Sequence, residues 1–556
     1  MKKCQLLFVF ILLVSVEVIA QEAFFSASPL KREVRGVWLT TLNGLDWPRC
    51  IGEKAQKAEL CRQLDSLRRA GINTVFLQSR IRATVIYQNA EEPWDACMTR
   101  HPGKNPGYDP LAFCIEACHQ RGMELHAWVV TVPVGKWNSE GCKWMRKHHP
   151  RLVRRIGDSG FMNVEAEGTA RYLASICRDI AQRYDVDGIH LDYIRYPETW
   201  HRRVSATEGR SRITAIVREI HRQVKAVKPW VRLSCAPIGK HDDLPRVSSR
   251  GWNARKAVCQ DAQQWLSEGL MDWLVPMMYF RDGQFFPFAI DWQEQSSGRV
   301  VSPGLGIYFL DPKEGSWTLG DISRQLSVLR SQGMGFVLFR SKFLLDNAKG
   351  VYDLVCSHNS TLALTPALEN SGTQTGTTPV ISPSSLRLTG NRLEWNRSGN
   401  DTLLYYNVYA SKHFPVDVAD GSNLVAVRLR GSSLMVPADA RVNYAVCAMN
   451  RWGVESDATQ LQLVESEEPY QYLFWRTADI INTDGRWLRL PPGPSWRDAE
   501  YIIIETLTGQ QLFVAPLCER PIDISRLLPG VYALRSLGRK GRNHRIGYFK
   551  ISPFAQ

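Results

Sequence analysis

The run Val186-Asp187-Gly188-Ile189-His190-Leu191-Asp192-Tyr193-Ile194-Arg195-Tyr196-Pro197 gathers two carboxylates, an imidazole and a guanidinium around an apolar strand. Strand side chains alternate, so Ile189 and Leu191 share one face while Gly188, His190 and Asp192 share the other. At ~3.3 Å per residue, Asp187 and Asp192 stand roughly 16 Å apart, at opposite ends of the strand, too far to act as a pair. Asp187 therefore reads as a hydrogen-bonding residue at the strand start. Asp192 marks the C-terminal end, where parallel α/β sheets and barrels place their ligands.

The elements that must position Asp192 are legible around it. From residue 33 to 358, short β-rich apolar runs alternate with helical patterns, the βα signature. Strands are expected at 34–41, 72–79, 123–130, 186–192, 231–237, 271–279, 303–309 and 334–340. Helices are expected near 53–70, 110–121, 166–184, 206–227, 255–268 and 319–332. Arg68 and Arg69 followed by Gly71 give the first helix a favourable stop. Eight units without a Gly-rich phosphate loop favour a closed (β/α)8 TIM barrel over an open doubly wound sheet.

Only the ends of those strands can line a barrel mouth. They supply Trp38 and Asp46, then Gln78 and Arg80, then His126 and Trp128, with Trp137 beyond. The fourth strand adds Asp192, Tyr193 and Arg195; the sixth gives Tyr279, Arg281 and Asp282; the eighth gives Arg340. Aromatic faces cover the C–H surface of sugar rings, and amides and guanidiniums bond hydroxyls and carboxylates, so this set suits a polysaccharide. Glycoside hydrolysis generally needs a second carboxylate, ~5–5.5 Å from the first in retaining enzymes and ~6.5–9.5 Å in inverting ones. Asp282 is the expected partner of Asp192, with Glu198, Asp46 and Glu314 as loop alternatives. Trp38, Gln78, Arg80, His126, Trp128, Tyr193, Arg195, Tyr279 and Arg340 are the expected substrate contacts; for His126, a barrel-interior histidine bonded to a neighbour is the competing reading.

The remaining chain sets the context. Its 556 residues, 44% hydrophobic and 22% charged, suit a globular protein of two to four domains. Lys2 and Lys3 ahead of an apolar run at 6–16, with Ala20 at a small-residue cleavage position, predict a signal peptide over 1–20 and export to the periplasm, cell surface or medium. No later run reaches the ~20 apolar residues of a spanning helix. The formal charge of +14 is dispersed and, in an exported chain, suits an anionic glycan better than nucleic acid. No metal or other cofactor is expected: there is no Cys-x-x-Cys, no His-Glu-x-x-His and no Walker loop. Of thirteen cysteines, Cys177, Cys235 and Cys447 sit in apolar segments and read as buried thiols, and Cys114 and Cys118 as one buried helix face.

The barrel is expected over 30–360 and a Thr/Ser/Pro/Gly-rich linker over 361–383. Beyond it the pattern turns to short alternating strands. A Leu-x-Trp pair at Leu393 and Trp395, a strand at 406–409 and Tyr444 ahead of Asn450-Arg-Trp-Gly453 resemble a fibronectin type III β-sandwich over 384–466. Residues 467–556 resemble the small C-terminal β-sandwich of exported Bacteroidetes-type proteins. The expected fold class is therefore α/β, a barrel followed by two all-β modules.

Several ordered blocks in 32–350 carry a further likeness. Glu33-Val-Arg-Gly-Val-Trp-Leu-Thr-Thr41, Leu45-Asp-Trp-Pro48, Pro106-Gly-Tyr-Asp-Pro110, Leu125-His-Ala-Trp128 and the 184–197 run resemble the glycosyl-hydrolase-like 10 family of exported (β/α)8 proteins. The resemblance implies a glycosidase with Asp192 in its active site, acting on a cell-wall or other anionic glycan. A glycan-binding protein on a degenerate barrel and a hydrolase of another polysaccharide are the alternatives. The chain departs from the family's pattern at Tyr193, where relatives often carry a second Asp. It departs again at Gln78-Ser-Arg80-Ile81, at Val130-Thr-Val-Pro-Val134 and at Cys235-Ala-Pro-Ile-Gly239, all around the expected cleft.

Overall fold

The computed structural model describes residues 30–88, 91–368, 379–397, 404–437 and 441–464, and strand segments between 487 and 551. The expected signal peptide lies outside the described residues. The chain divides after Glu465 into two compact units.

In the first unit, parallel strands β1 (Arg35–Leu39), β2 (Thr74–Arg80) and β3 (Glu124–Val130) lead a sheet. A small antiparallel insertion follows, β4 (Pro133–Lys136), β5 (Val153–Ile156) and β6 (Ser159–Met162), in the order β4-β6-β5. The parallel sheet resumes with β7 (Gly188–Asp192), β8 (Arg232–Cys235), β9 (Trp273–Leu274), β10 (Val300–Val301), β11 (Gly304–Leu305) and β12 (Phe336–Leu338). Its order is β10-β9-β8-β7-β3-β2-β1-β12-β11. β10 and β11 are two halves of one strand: the first pairs with β9, the second with β12, and a bridge joins Met277 to Gly304. The sheet therefore closes into an eight-stranded barrel, as the alternating pattern predicts.

Three elements differ from expectation. The seventh strand starts at Val300 and is broken before Gly304, and Ile307–Leu310 is a 3-10 helix. Pro303, which lacks an N–H, stands at the break. The helix expected over 255–268 splits into Ala254–Ala257 and Ala262–Ser267, with Cys259 at φ +59° between them. The insertion between β3 and Gly188 was not expected at all.

Inward side chains fill the barrel. Val34, Trp38, Phe76, Trp128, Val130, Ala236, Trp273, Val275 and Val337 form one buried cluster. A Cβ on Gly188 would meet His126 Nδ1 at 2.2 Å, so a glycine there makes room for that imidazole. Helices Glu53–Arg69, Thr169–Arg183 and Ala206–Val227 bury apolar stripes outside the barrel. Gly71 ends the first of these at φ +71°, and a Cβ there would strike Asn359 at 2.5 Å.

Residues at the start of the expected linker are packed, not loose. Leu364 is buried, and Glu33 N donates to its carbonyl at 2.9 Å. Two sheets follow, β13 (Ser384–Thr389), β14 (Arg392–Asn396) and β17 (Ser433–Met435) in one, and β15 (Tyr405–Ser411), β16 (Leu424–Leu429), β18 (Asn443–Met449) and β19 (Thr459–Leu461) in the other. This module docks on the N-terminal end of the barrel. Arg428 of β16 reaches Glu124 at 3.1 Å and also pairs with Asp187.

In the second unit the described strands β21 (Ala499–Thr506), β22 (Gln511–Pro516), β24 (Gly530–Gly538) and β25 (Asn543–Ile551) form an antiparallel sheet in the order β22-β21-β24-β25. β20 (Trp487–Leu488) pairs with β23 (Ile522–Asp523). Among the described residues, eleven cysteines are free thiols, Cys114, Cys118, Cys177, Cys235 and Cys447 being buried, and no helix is long and apolar enough to cross a membrane.

Candidate active site

β7 delivers Asp192 to the C-terminal mouth of the barrel. Its backbone carbonyl accepts bonds from Thr131 N (2.9 Å) and Thr131 Oγ1 (2.7 Å), which fix the strand end to the segment leaving β3. Its carboxylate accepts Tyr193 N at 2.7 Å on one oxygen and Trp128 Nε1 at 3.1 Å on the other. The side chain is 7% exposed. Burial pushes the carboxyl up to about 6; the Arg195 charge and the two donated bonds only partly oppose it. A carboxyl that holds its proton to mildly acidic pH can serve as a general acid.

Asp192 opens into a cleft of about 640 Å³. Gln78, Trp128, Tyr193, Tyr279 and Arg340 line it with Asp192, so six of the expected site residues share one cavity. Gln78 spends its carbonyl on Thr41 N (3.1 Å) and Leu42 N (2.9 Å), holding the loop after β1. Arg340 is held by Asp46, itself buried, so Asp46 acts as a brace. Arg195 lies beneath the lining: it ion-pairs with Glu198 at 2.6 Å and its guanidinium sits 4.5 Å from the Tyr193 ring centre. Tyr193, at φ +54° and 37% exposed, is turned outward beside the acid.

The other expected residues lie elsewhere. Trp38 is within the barrel, where its Nε1 donates to His190 Nε2 at 3.1 Å. That bond makes Nε2 the acceptor, and burial holds the His190 imidazole neutral. His126 is buried against Glu124 at 3.2 Å, the interior reading of that residue. Arg80 is fully buried and grips Glu92 through Nε (2.8 Å) and a second nitrogen (2.7 Å). Trp38 and His126 point into the barrel below the mouth, whereas Arg80 ends β2 after a register shift at Ser79 and turns away from the interior to Glu92, which Tyr172 of the helix Thr169–Arg183 also holds. Asp282 is exposed, bonds Arg324 at 3.2 Å and does not line the cleft. Asp282→Asn is therefore expected to change kcat/KM on any substrate of this cleft by less than about threefold in a steady-state assay.

Glu198 is the second carboxylate on the lining, two residues beyond the Tyr196 that follows Arg195. The contacts that sequence reasoning missed come mostly from the insertion: Lys136, Ser159 and Phe161, together with Arg82 and Phe339. A signal for the insertion was present, because Gly157-Asp158 is a two-residue hairpin turn between short runs that end in Ile156 on one side and carry Phe161 and Met162 on the other. Among the described residues no group of three or more His, Cys, Asp or Glu side chains could hold a metal ion.

Residues 33–209 and 205–309 match the family described as Glycosyl hydrolase-like 10. The matched segments run from β1 to β11 of the barrel. Glycosyl hydrolase YngK of Bacillus subtilis strain 168 is 27% identical over 316 residues, 51% of this chain and 62% of that protein. Glycosyl hydrolase DigH of Escherichia coli K12 is 28% identical over 288 residues, 44% of this chain and 65% of that one. The chain thus spans less than two thirds of the curated relatives it matches. A solved structure, the PgaB (BpsB) glycoside hydrolase domain from Bordetella bronchiseptica, aligns at 14% identity and a TM-score of 0.42 over 59% of this chain and 98% of that one. The family match and these relatives support a glycoside hydrolase-type function at the level of the family.

Proposed function

We propose that this protein is an exported glycoside hydrolase that cleaves glycosidic bonds in a bacterial cell-wall or other anionic glycan, with Asp192 as general acid. One observation carries the reading: a buried carboxyl, raised to about 6, opens into an aromatic-lined cleft at the C-terminal end of a barrel. The family match, the apolar leader with its two lysines and the chain's charge of +14 support the rest. Purified protein incubated with peptide-free peptidoglycan glycan strands should release new reducing ends; release no greater than that of Asp192→Asn would sink the proposal.

Glu198 is the candidate second carboxylate. If it acts as nucleophile or base, Glu198→Gln should lower kcat by about 100-fold or more with KM little changed. If kcat falls less than about fivefold, the attacking group belongs to the substrate or to a water held elsewhere. The ion pair between Glu198 and Arg195 favours a second reading, a glycan-binding protein on a degenerate barrel, because a carboxylate already held by a guanidinium is less free to meet a water or a sugar carbon. That reading predicts retention of glycan strands without turnover and no change in either on Asp192→Asn.

A further inference from the structure

Arg82 leaves β2 two residues after Arg80 and reaches the cleft wall. Its position is set by two glycines of the insertion. A Cβ on Gly141 would lie 2.2 Å from Arg82 O and 2.7 Å from Ala83 O, so this backbone lies pressed against the helix Glu140–His148. A Cβ on Gly135 would lie 3.4 Å from Arg82 Cβ and 3.6 Å from Arg82 Cδ, so the aliphatic stem rests on β4 at a residue with φ +98°. Ala83 at φ +56° turns the chain away again. The stem is seated while the residue stays exposed on the lining.

The other cations at this mouth are neutralised. Arg80 has Glu92, Arg195 has Glu198, Arg340 has Asp46 and Lys136 has Asp158. Among the described residues no carboxylate pairs with Arg82. Arg82, Tyr193 and Asp192 line the same cleft, so a sugar lying on Tyr193 with its linkage at Asp192 would present a substituent to Arg82.

We propose that Arg82 is a specificity-determining residue that reads a carboxylate carried by the substrate sugar, which rests on the glycosidase reading above. A planar guanidinium matches a carboxylate with two parallel bonds, and a seated stem has less rotamer freedom to lose on binding. The shared chemistry is the carboxylate, borne either on an ether-linked acid substituent or on a uronate ring.

The test compares two matched pairs: peptide-free glycan strands with free lactyl carboxylates against the same strands converted to methyl amides, and oligogalacturonate against its carboxyl-reduced form. For at least one pair the unmodified protein should favour the acidic member by about 10- to 100-fold in kcat/KM, mainly through KM. Arg82→Gln should collapse that ratio toward one, and Arg82→Lys should keep part of it, with unfolding midpoints showing that both variants fold. The pair that discriminates identifies the source of the carboxylate. Equal losses on both members of a pair in Arg82→Gln, or no discrimination by the unmodified protein in either pair, would overturn the proposal. If no glycan is cleaved, the glycosidase reading falls on its own. The same ratio, measured calorimetrically as binding to Asp192→Asn protein with and without Arg82→Gln, then decides the role of Arg82.

Discussion

Asp192→Asn is expected to lower kcat/KM on a cleaved glycan by about 10³-fold, the scale of a lost general acid, with the fold intact. The asparagine keeps an acceptor for Tyr193 N or Trp128 Nε1 but holds no transferable proton. If Asp192 is the general acid, glycan cleavage by the unmodified protein should fall as pH rises through about 6, roughly tenfold per unit once the carboxyl is ionised. Stability should move the opposite way on substitution. A carboxyl whose folded value lies above its ordinary 3.8 carries no penalty below that value, where both states are protonated. As pH rises from there through about 6, the folded state loses stability, because it must hold a buried charge that the unfolded chain holds in water. Two pH units correspond to about 3 kcal/mol as an upper bound. Asp192→Asn should therefore be more stable than the parent at pH 8 by about 1–3 kcal/mol and indistinguishable at pH 3.5, read by chemical denaturation at both. A gain in stability with loss of turnover would mark Asp192 as a residue kept for chemistry; equal stability at both pH values would show that its carboxyl is not raised.

Arg428→Met is expected to destabilise the first unit by about 3–5 kcal/mol, the cost of stranding buried charges. Arg428 is 8% exposed and stacks 4.3 Å from the Tyr405 ring centre while meeting Glu124 and Asp187 beneath the barrel. Burial alone would push both carboxyls up. At Glu124 the charges of Arg232 and Arg428 and the His126 bond prevail and hold it at about 2. At Asp187, Arg428 and His119 hold it well below the usual carboxylate range. Depressed carboxyls contribute stability above the unfolded values near 4, and it is lost as pH falls toward and below about 2. The parent should therefore soften in acid along this window, and Arg428→Met should show a flatter acid limb. Arg387→Ala, which breaks an exposed pair with Glu394, should change stability by less than about 0.5 kcal/mol and serves as the control. Denaturant unfolding followed by tryptophan emission reads all three proteins. A loss below about 1 kcal/mol for Arg428→Met would mean that the sandwich contributes little to holding the barrel's lower end.

The same five residues of β7 show how far one sequence reaches. Alternation put Ile189 and Leu191 outside and His190 inside, and strand length separated Asp187 from Asp192; both hold because a strand's period and rise are local properties. The barrel followed from repetition of that pattern, and its closure only needed the seventh strand to pair on both sides. Depth along the barrel axis is different. Trp38 and His126 share the inward face with the mouth residues yet lie below it, because strand tilt and stagger decide which layer a side chain occupies, and the register shift before Arg80 turns that residue off the inward face to Glu92. Sequence alone also could not place Arg82 and Glu198, which line the cleft with Tyr193 from separate loops, nor reveal that Gly135 and Gly141 leave room for Arg82. It determined the strand, the acid at its end and the family likeness; the packing of loops over the mouth decided which charges face the cleft unpaired. Local periodicity is written residue by residue, whereas burial and pairing depend on what the rest of the chain brings alongside.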